Sequence, residues 1–204
     1  MQFEENGERI DDLRLILQRV AYVATLFDQD GISIRFMNTD LPPGQGDNIT
    51  SEAQINQIMS QVKFSGLTPL GRELRRKVID GLVLPAARQG GLKKPVLIIT
   101  VTDGQPAGDE PNANAVFDTV RYAVQETSRY GPGAVAFQFC QVGNDQKARE
   151  FLGKLDTDPV IGNMVDCTSS ASSVYSSLAC VNADSSQTLR MNSRRWRSSP
   201  RQST

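Results

Sequence analysis

From residue 10 to residue 27 apolar side chains return every three or four positions, at Ile10, Leu13, Leu17, Val20, Ala24 and Phe27. Asp11, Arg14, Gln18 and Arg19 fill the gaps, so the pattern predicts a helix with one apolar stripe. Asp28-Gln29-Asp30-Gly31 stops it, and "ISIRFMN" (32–38) reads as a strand. The Pro/Gly-rich "DLPPGQGDN" (40–48) is a loop leading into a short helix from about Ser51 to Val62. Next, "SGLTPLGRELRRKVIDGLVL" (65–84) carries Leu70, Leu74, Val78 and Leu82 on every fourth residue opposite a charged face, with Pro85 and Gly90-Gly91 as its end. "PVLIITVT" (95–102) is apolar almost throughout, as in a strand covered by helices on both faces. A helix over about 112–130 turns Val116, Val120, Ala123 and Val124 inward. The strand "AVAFQFCQV" (134–142), the helix "DQKAREFLGKL" (145–155) and the short strand "NMVDC" (163–167) follow. This alternation predicts an α/β fold built on a largely parallel sheet.

Composition narrows the function classes. The chain has 204 residues, 39% of them hydrophobic, enough for one ordinary core with a tail. No apolar run reaches the roughly 18 residues that span a bilayer, and the acidic start "MQFEENGERIDDL" lacks the apolar core of a secretory signal. Cys140, Cys167 and Cys180 are widely spaced and odd in number, which suits a reducing, intracellular and cytoplasmic setting. Histidine is absent, removing Ser-His-Asp and Cys-His catalysis and the usual zinc sites.

The near-neutral net charge of -1 hides a division. Residues 169–204 hold five arginines and one acid, a net of +4, leaving 17 bases and 22 acids, a net of -5, in residues 1–168. The serine- and arginine-rich tail reads as disordered. Its Trp196 among arginines is thin support for a nucleic-acid arm, and a solvated tail is the simpler reading.

Two stretches carry candidate chemistry. Asp103, at the carboxyl end of "LIITVTDGQP" (97–106), falls where open α/β sheets bind ligands. Asp-Gly is also a favoured turn pair. Thr68 before Pro69 reads as a helix N-cap, yet its hydroxyl is also a hard oxygen of the kind that suits Mg²⁺.

"GLTPLGREL" (66–74) ahead of "LIITVTDGQP", after a helix opening at "ERIDDLR", resembles a von Willebrand factor type A (vWA) domain, closest to the intracellular, fungal-type versions. "FQFCQVGNDQKAREFLGKLD" (137–156) is similar to that family's later strand and helix. The resemblance covers residues 1 to about 168, as one domain followed by the tail 169–204. It implies a Rossmann-like, open, largely parallel sheet with helices on both faces. It also implies a metal-ion-dependent adhesion site for Mg²⁺ or a similar divalent cation, in which Thr68 matches the threonine ligand and Asp103 the second-loop aspartate. Family members bind protein partners, often through a partner carboxylate that completes the metal shell.

The chain departs from the family where the site begins. The family's first strand and its Asp-x-Ser-x-Ser loop have no counterpart before "QFEENGERIDDLR"; "TSSASS" (168–173) is misplaced for the role, and Glu4 and Glu5 read as solvated acids. In the family that strand lies between those matched by "ISIRFMN" and "PVLIITVT". Five central residues, at about 1.5–3 kcal/mol each, are worth roughly 10 kcal/mol. That is comparable with a whole domain's stability of about 5–15 kcal/mol. A chain trimmed at an internal methionine and altered past residue 168, as in an imperfect gene model, is the expectation. The reading is therefore a non-enzymatic protein-interaction module with a weakened metal site, binding neither membrane nor nucleic acid. The alternative is a hydrolytic or phosphoryl-transfer enzyme using Asp103, against which stands the lack of G-x-x-x-x-G-K-[ST], strand-linked G-x-G-x-x-G and G-x-S-x-G motifs.

Overall fold

The structure, a computed structural model, describes residues 8–27, 29–131 and 133–168. Glu4, Glu5 and residues 169–204, including Cys180 and Trp196, lie outside the described residues.

The architecture is α/β. Helix α1 spans Glu8–Phe27 and α2 Glu52–Gln61; α3 (Leu70–Glu73), a π-helical stretch (Leu74–Val83) and α4 (Leu84–Gly90) form one continuous helical rod. Strand β1 (Val96–Thr102), α5 (Ala115–Thr127), β2 (Val135–Gln141), α6 (Gln146–Asp156) and β3 (Val165–Thr168) follow. The three strands form a small open parallel sheet in the order β1-β2-β3, with Val96 opposite Val135 and Phe137 opposite Val165. Among the described residues no helix is long and apolar enough to cross a membrane.

Local chemistry explains most boundaries. Ser51 and Gln54 close a reciprocal capping box at the start of α2, each side chain taken up at the other's end of the first turn. Asp145 caps α6 by accepting from the Ala148 N–H at 2.6 Å. β2 is buried along its whole length, and Phe137 and Phe139 are wholly inside. Each is worth about 1.5–3 kcal/mol relative to exposure. One layer (Leu74, Ile79, Val83, Ile98, Val120) packs on one face of the sheet, and Ile16 and Val20 of α1 pack on the other with Cys140 and Val142.

Four sequence expectations are corrected. "ISIRFMN" is not a regular strand: among the described residues Ile32 makes one antiparallel bridge to Ile49, no strand forms over 33–38, and the chain bends at Met37 and Asn38. "PVLIITVT" does form a strand, β1, with Val96 and Ile98 packed on one face and Leu97, Ile99 and Val101 toward α1 on the other; among the described residues it lies at the sheet edge. Pro85 does not end its helix, which runs to Gly90 and stops at Gly91, where φ is +75°. The preceding π turns leave room for the ring, because a wider helix relieves the clash a proline makes with the carbonyl four residues back. They also shift the buried face: Leu74, Ile79 and Leu84, five apart, are inside, where a four-residue spacing had placed Val78 and Leu82. Finally, Thr68 is not the N-cap, since the helix begins at Leu70 after Pro69 and no side chain of its own caps it.

Candidate functional site

β1 delivers Asp103 to the carboxyl end of the sheet. Its turn is closed by Thr102, whose hydroxyl donates to the Gly104 carbonyl at 2.9 Å. The loop then crosses to the start of the helical rod. The Ala107 N–H donates to the Thr68 carbonyl at 2.9 Å, and the two residues form an isolated antiparallel bridge. Two residues on, Asp109 does the capping that Thr68 was expected to do. Its carboxylate accepts from the Gly71 N–H at 2.8 Å and from the Arg72 N–H at 3.1 Å. A negative charge at a helix start satisfies donors that have no partner within the helix and sits favourably in its dipole. Gly71 is required there, because a Cβ would meet Ala115 at 2.5 Å where α3 crosses α5.

The Thr68 loop is also held from behind. Asn38 Nδ2 donates to the Ser65 and Leu67 carbonyls at 3.0 and 2.7 Å. Thr68 and Asp103 thus line the same cleft, of about 830 Å³, which runs from this mouth back between β1 and residues 31–39.

Arg9 is the residue that sequence reasoning missed. It is 7% exposed, and its guanidinium stands 3.8 Å from the Asp103 carboxylate. Gly143, at φ +80°, makes room for it: a Cβ there would meet Arg9 Nε at 2.7 Å. One signal was available, since a cation in the first turn of a helix opposes the helix dipole and calls for an anion nearby.

The donor set fits a divalent cation only in part. Thr68 and Asp103 offer hard oxygens of the right type. A guanidinium beside the carboxylate opposes a second cation, and among the described residues no three His, Cys, Asp or Glu side chains gather as a metal cage. Deeper in, Glu73 is buried and meets Arg76 at 2.7 Å and Lys77 at 3.5 Å. Burial pushes its carboxyl up, but hydrogen bonds from Arg76 and Arg72 outweigh this and hold it below its ordinary range. Burial pushes the Cys140 thiol up to about 11, and it drives Cys167 upward as well; both are free thiols.

Comparison of the chain with family models, with curated proteins and with solved structures finds no match.

Proposed function

We propose that this chain is a non-enzymatic protein-interaction module of the vWA type, carrying a partial metal-ion-dependent adhesion site at the carboxyl end of β1. The observation that carries the reading is the meeting of two loops: the Ala107 N–H bonds the Thr68 carbonyl, at the mouth of a cleft that Asp103 also lines. The Thr68 hydroxyl and the Asp103 carboxylate are the two protein oxygens for Mg²⁺ or a similar cation. Water and a partner protein's carboxylate fill the other positions, in keeping with the habit of Mg²⁺ to retain several waters. Affinity is weak, because Arg9 already supplies positive charge to Asp103. A cytoplasmic setting accords with the unbridged thiols of Cys140 and Cys167.

Calorimetric titration of the full chain with Mg²⁺ tests this. Binding weaker than micromolar, lost in both Asp103→Ala and Thr68→Val, is the expected result. Heat that survives Asp103→Ala, or no Mg²⁺-dependent heat at all, overturns the metal-assisted reading.

A further inference from the structure

Residues 65–67 lie in neither helix nor strand, and they carry the chain into Thr68. Such a stretch holds a ligand atom in place only where other segments tie its backbone down. Three of its carbonyls are tied. That of Thr68 accepts from the Leu70 N–H at 2.7 Å and from the Ala107 N–H at 2.9 Å. Those of Ser65 and Leu67 both accept from one nitrogen, Asn38 Nδ2, at 3.0 and 2.7 Å. A side-chain amide has two N–H donors on one atom, so a single asparagine can hold two carbonyls at once. Among the described residues the Thr68 hydroxyl itself has no hydrogen-bond partner. The backbone is fixed and the oxygen is left available.

Asn38 is held in turn. Gly66 leaves the room that the amide fills: φ there is +113°, and a Cβ would meet Asn38 Nδ2 at 2.9 Å. The backbone on either side of Asn38 is gripped by Lys77, whose ammonium donates to the carbonyls of Phe36, Met37 and Thr39 at 2.6, 3.0 and 3.2 Å. The Lys77 side chain is only 8% exposed, and Asp40 at 2.6 Å and Glu73 at 3.5 Å balance its charge. A buried, paired cation that also satisfies three carbonyls is a rigid support for the chain it holds. Lys77 belongs to the helical rod, and the start of that rod is joined to the 107–109 loop through Asp109. Rod, residues 36–40, Thr68 loop and 107–109 loop are therefore linked in a closed ring of hydrogen bonds beside the mouth of the cleft.

We propose that Asn38 is the positioning residue of the candidate site, fixing where the Thr68 hydroxyl stands relative to Asp103, and that Lys77 acts through it by fixing Asn38. The inference rests on the metal reading for the use to which that oxygen is put. Asn38 touches no ligand. It removes freedom from the loop before a cation arrives, so that binding does not have to order it. With the Ala107 bridge as its one remaining cross-link, the stretch 65–67 could swing about Thr68 and carry the hydroxyl with it.

The test uses the full chain and two readouts: Mg²⁺ titration followed by NMR, and amide hydrogen exchange without metal. Asn38→Ala removes both donors and should weaken Mg²⁺ binding about tenfold, the effect of two hydrogen bonds of ordinary strength. Without metal it should speed exchange of the Ala107 amide, which is bonded to the loop, at least about fivefold, while the amides of Phe137 and Phe139 in β2 keep their rates. Gly66→Ala, which displaces the Asn38 amide without altering it, should move both readouts the same way. Ser51→Ala removes the α2 cap, and should lower the urea midpoint while leaving Mg²⁺ affinity unchanged. It separates positioning from a general loss of stability.

Three results overturn the proposal: Mg²⁺ affinity in Asn38→Ala equal to that of the unsubstituted chain, an Ala107 amide that exchanges equally in both, and an equal fall of affinity in Ser51→Ala. Should Asn38→Ala fail to fold, the same comparisons are made with Gly66→Ala. Absence of any Mg²⁺ response in the unsubstituted chain is instead the failure of the metal reading, and the Ala107 exchange rates then decide whether Asn38 fixes the loop.

Discussion

Replacing Arg9 with methionine, which keeps much of the apolar stem while removing the charge, should tighten Mg²⁺ binding even as it weakens the fold. The Arg9 nitrogen lies 3.8 Å from Asp103 Oδ2. A Mg²⁺ bound about 2.1 Å beyond that oxygen would stand no more than about 6 Å from the guanidinium. A double and a single positive charge at that separation repel by about 1.4 kcal/mol even when screened as in bulk water, which is about tenfold in affinity. The side chains of Arg9 and Asp103 are 8% and 19% exposed, so real screening is poorer and tenfold is a floor. Stability should move the other way. Removing one partner of a fully buried pair costs about 3–5 kcal/mol, and the partial exposure of Asp103 lowers this to about 1–3 kcal/mol. The melting temperature should therefore fall by several degrees, at about 2–4 °C per kcal/mol for a chain of this size. Calorimetric Mg²⁺ titration with circular dichroism melts of both forms reads the two effects together. Unchanged or weaker Mg²⁺ binding in a folded Arg9→Met chain would refute the idea that Arg9 holds the cation's electrostatic place. So would a gain that persists in Arg9→Met/Asp103→Asn.

Asp109→Ala removes two charge-assisted bonds to the start of α3 and should cost about 1–3 kcal/mol, seen as a lower urea midpoint; a change under about 0.5 kcal/mol would deny Asp109 its role as the cap. Acid should destabilise the chain through Glu73 and Asp40. Hydrogen bonds from Lys77 and Arg76 lower the Asp40 pKa below its ordinary 3.8, and burial of Glu73 is outweighed by Arg76 and Arg72, lowering it below 4.5. Groups lowered in the folded state stabilise it above their unfolded values and lose that contribution as pH falls through the folded ones, so the urea midpoint should hold from pH 7 to about 5 and drop below about 4. An unchanged midpoint at pH 3 contradicts this. Cys140 and Cys167, both raised by burial, should alkylate far more slowly in the native chain at pH 8 than in urea, as read by peptide mass mapping; equal rates would mean that β2 and β3 open readily.

The elements legible in the sequence are those whose cause is local. Ser51 and Gln54 announce α2 by themselves, and the continuous apolar run "PVLIITVT" and the stretch "AVAFQFCQV" become the strands β1 and β2. Misreadings arise where the cause is distant in the chain. Thr68-Pro69 has the form of a cap, but the anion that serves the helix start comes from Asp109, and its Asp-x-Pro surroundings resemble any polar loop. The π stretch was hidden because a four-residue repeat at Leu70, Leu74, Val78 and Leu82 is present in the residues even though the helix does not use it. The anion that pairs with Arg9 is visible only once α1 and the end of β1 are brought together.

The misreading at "ISIRFMN" is of a different kind. It and "PVLIITVT" both have the composition of interior strands, yet among the described residues the first makes a single bridge while the second forms β1, at the sheet edge with most of its residues partly buried. An exposed apolar edge invites pairing with foreign chains, and proteins commonly blunt it with charge, proline or a bulge. Leu97, Ile99 and Val101 carry none of these, and the wall they face is apolar too. Among the described residues β1 and β3 each have one strand partner and only β2 has two, so the burial of β2 along its whole length follows from its central place rather than from a more apolar composition than that of β1.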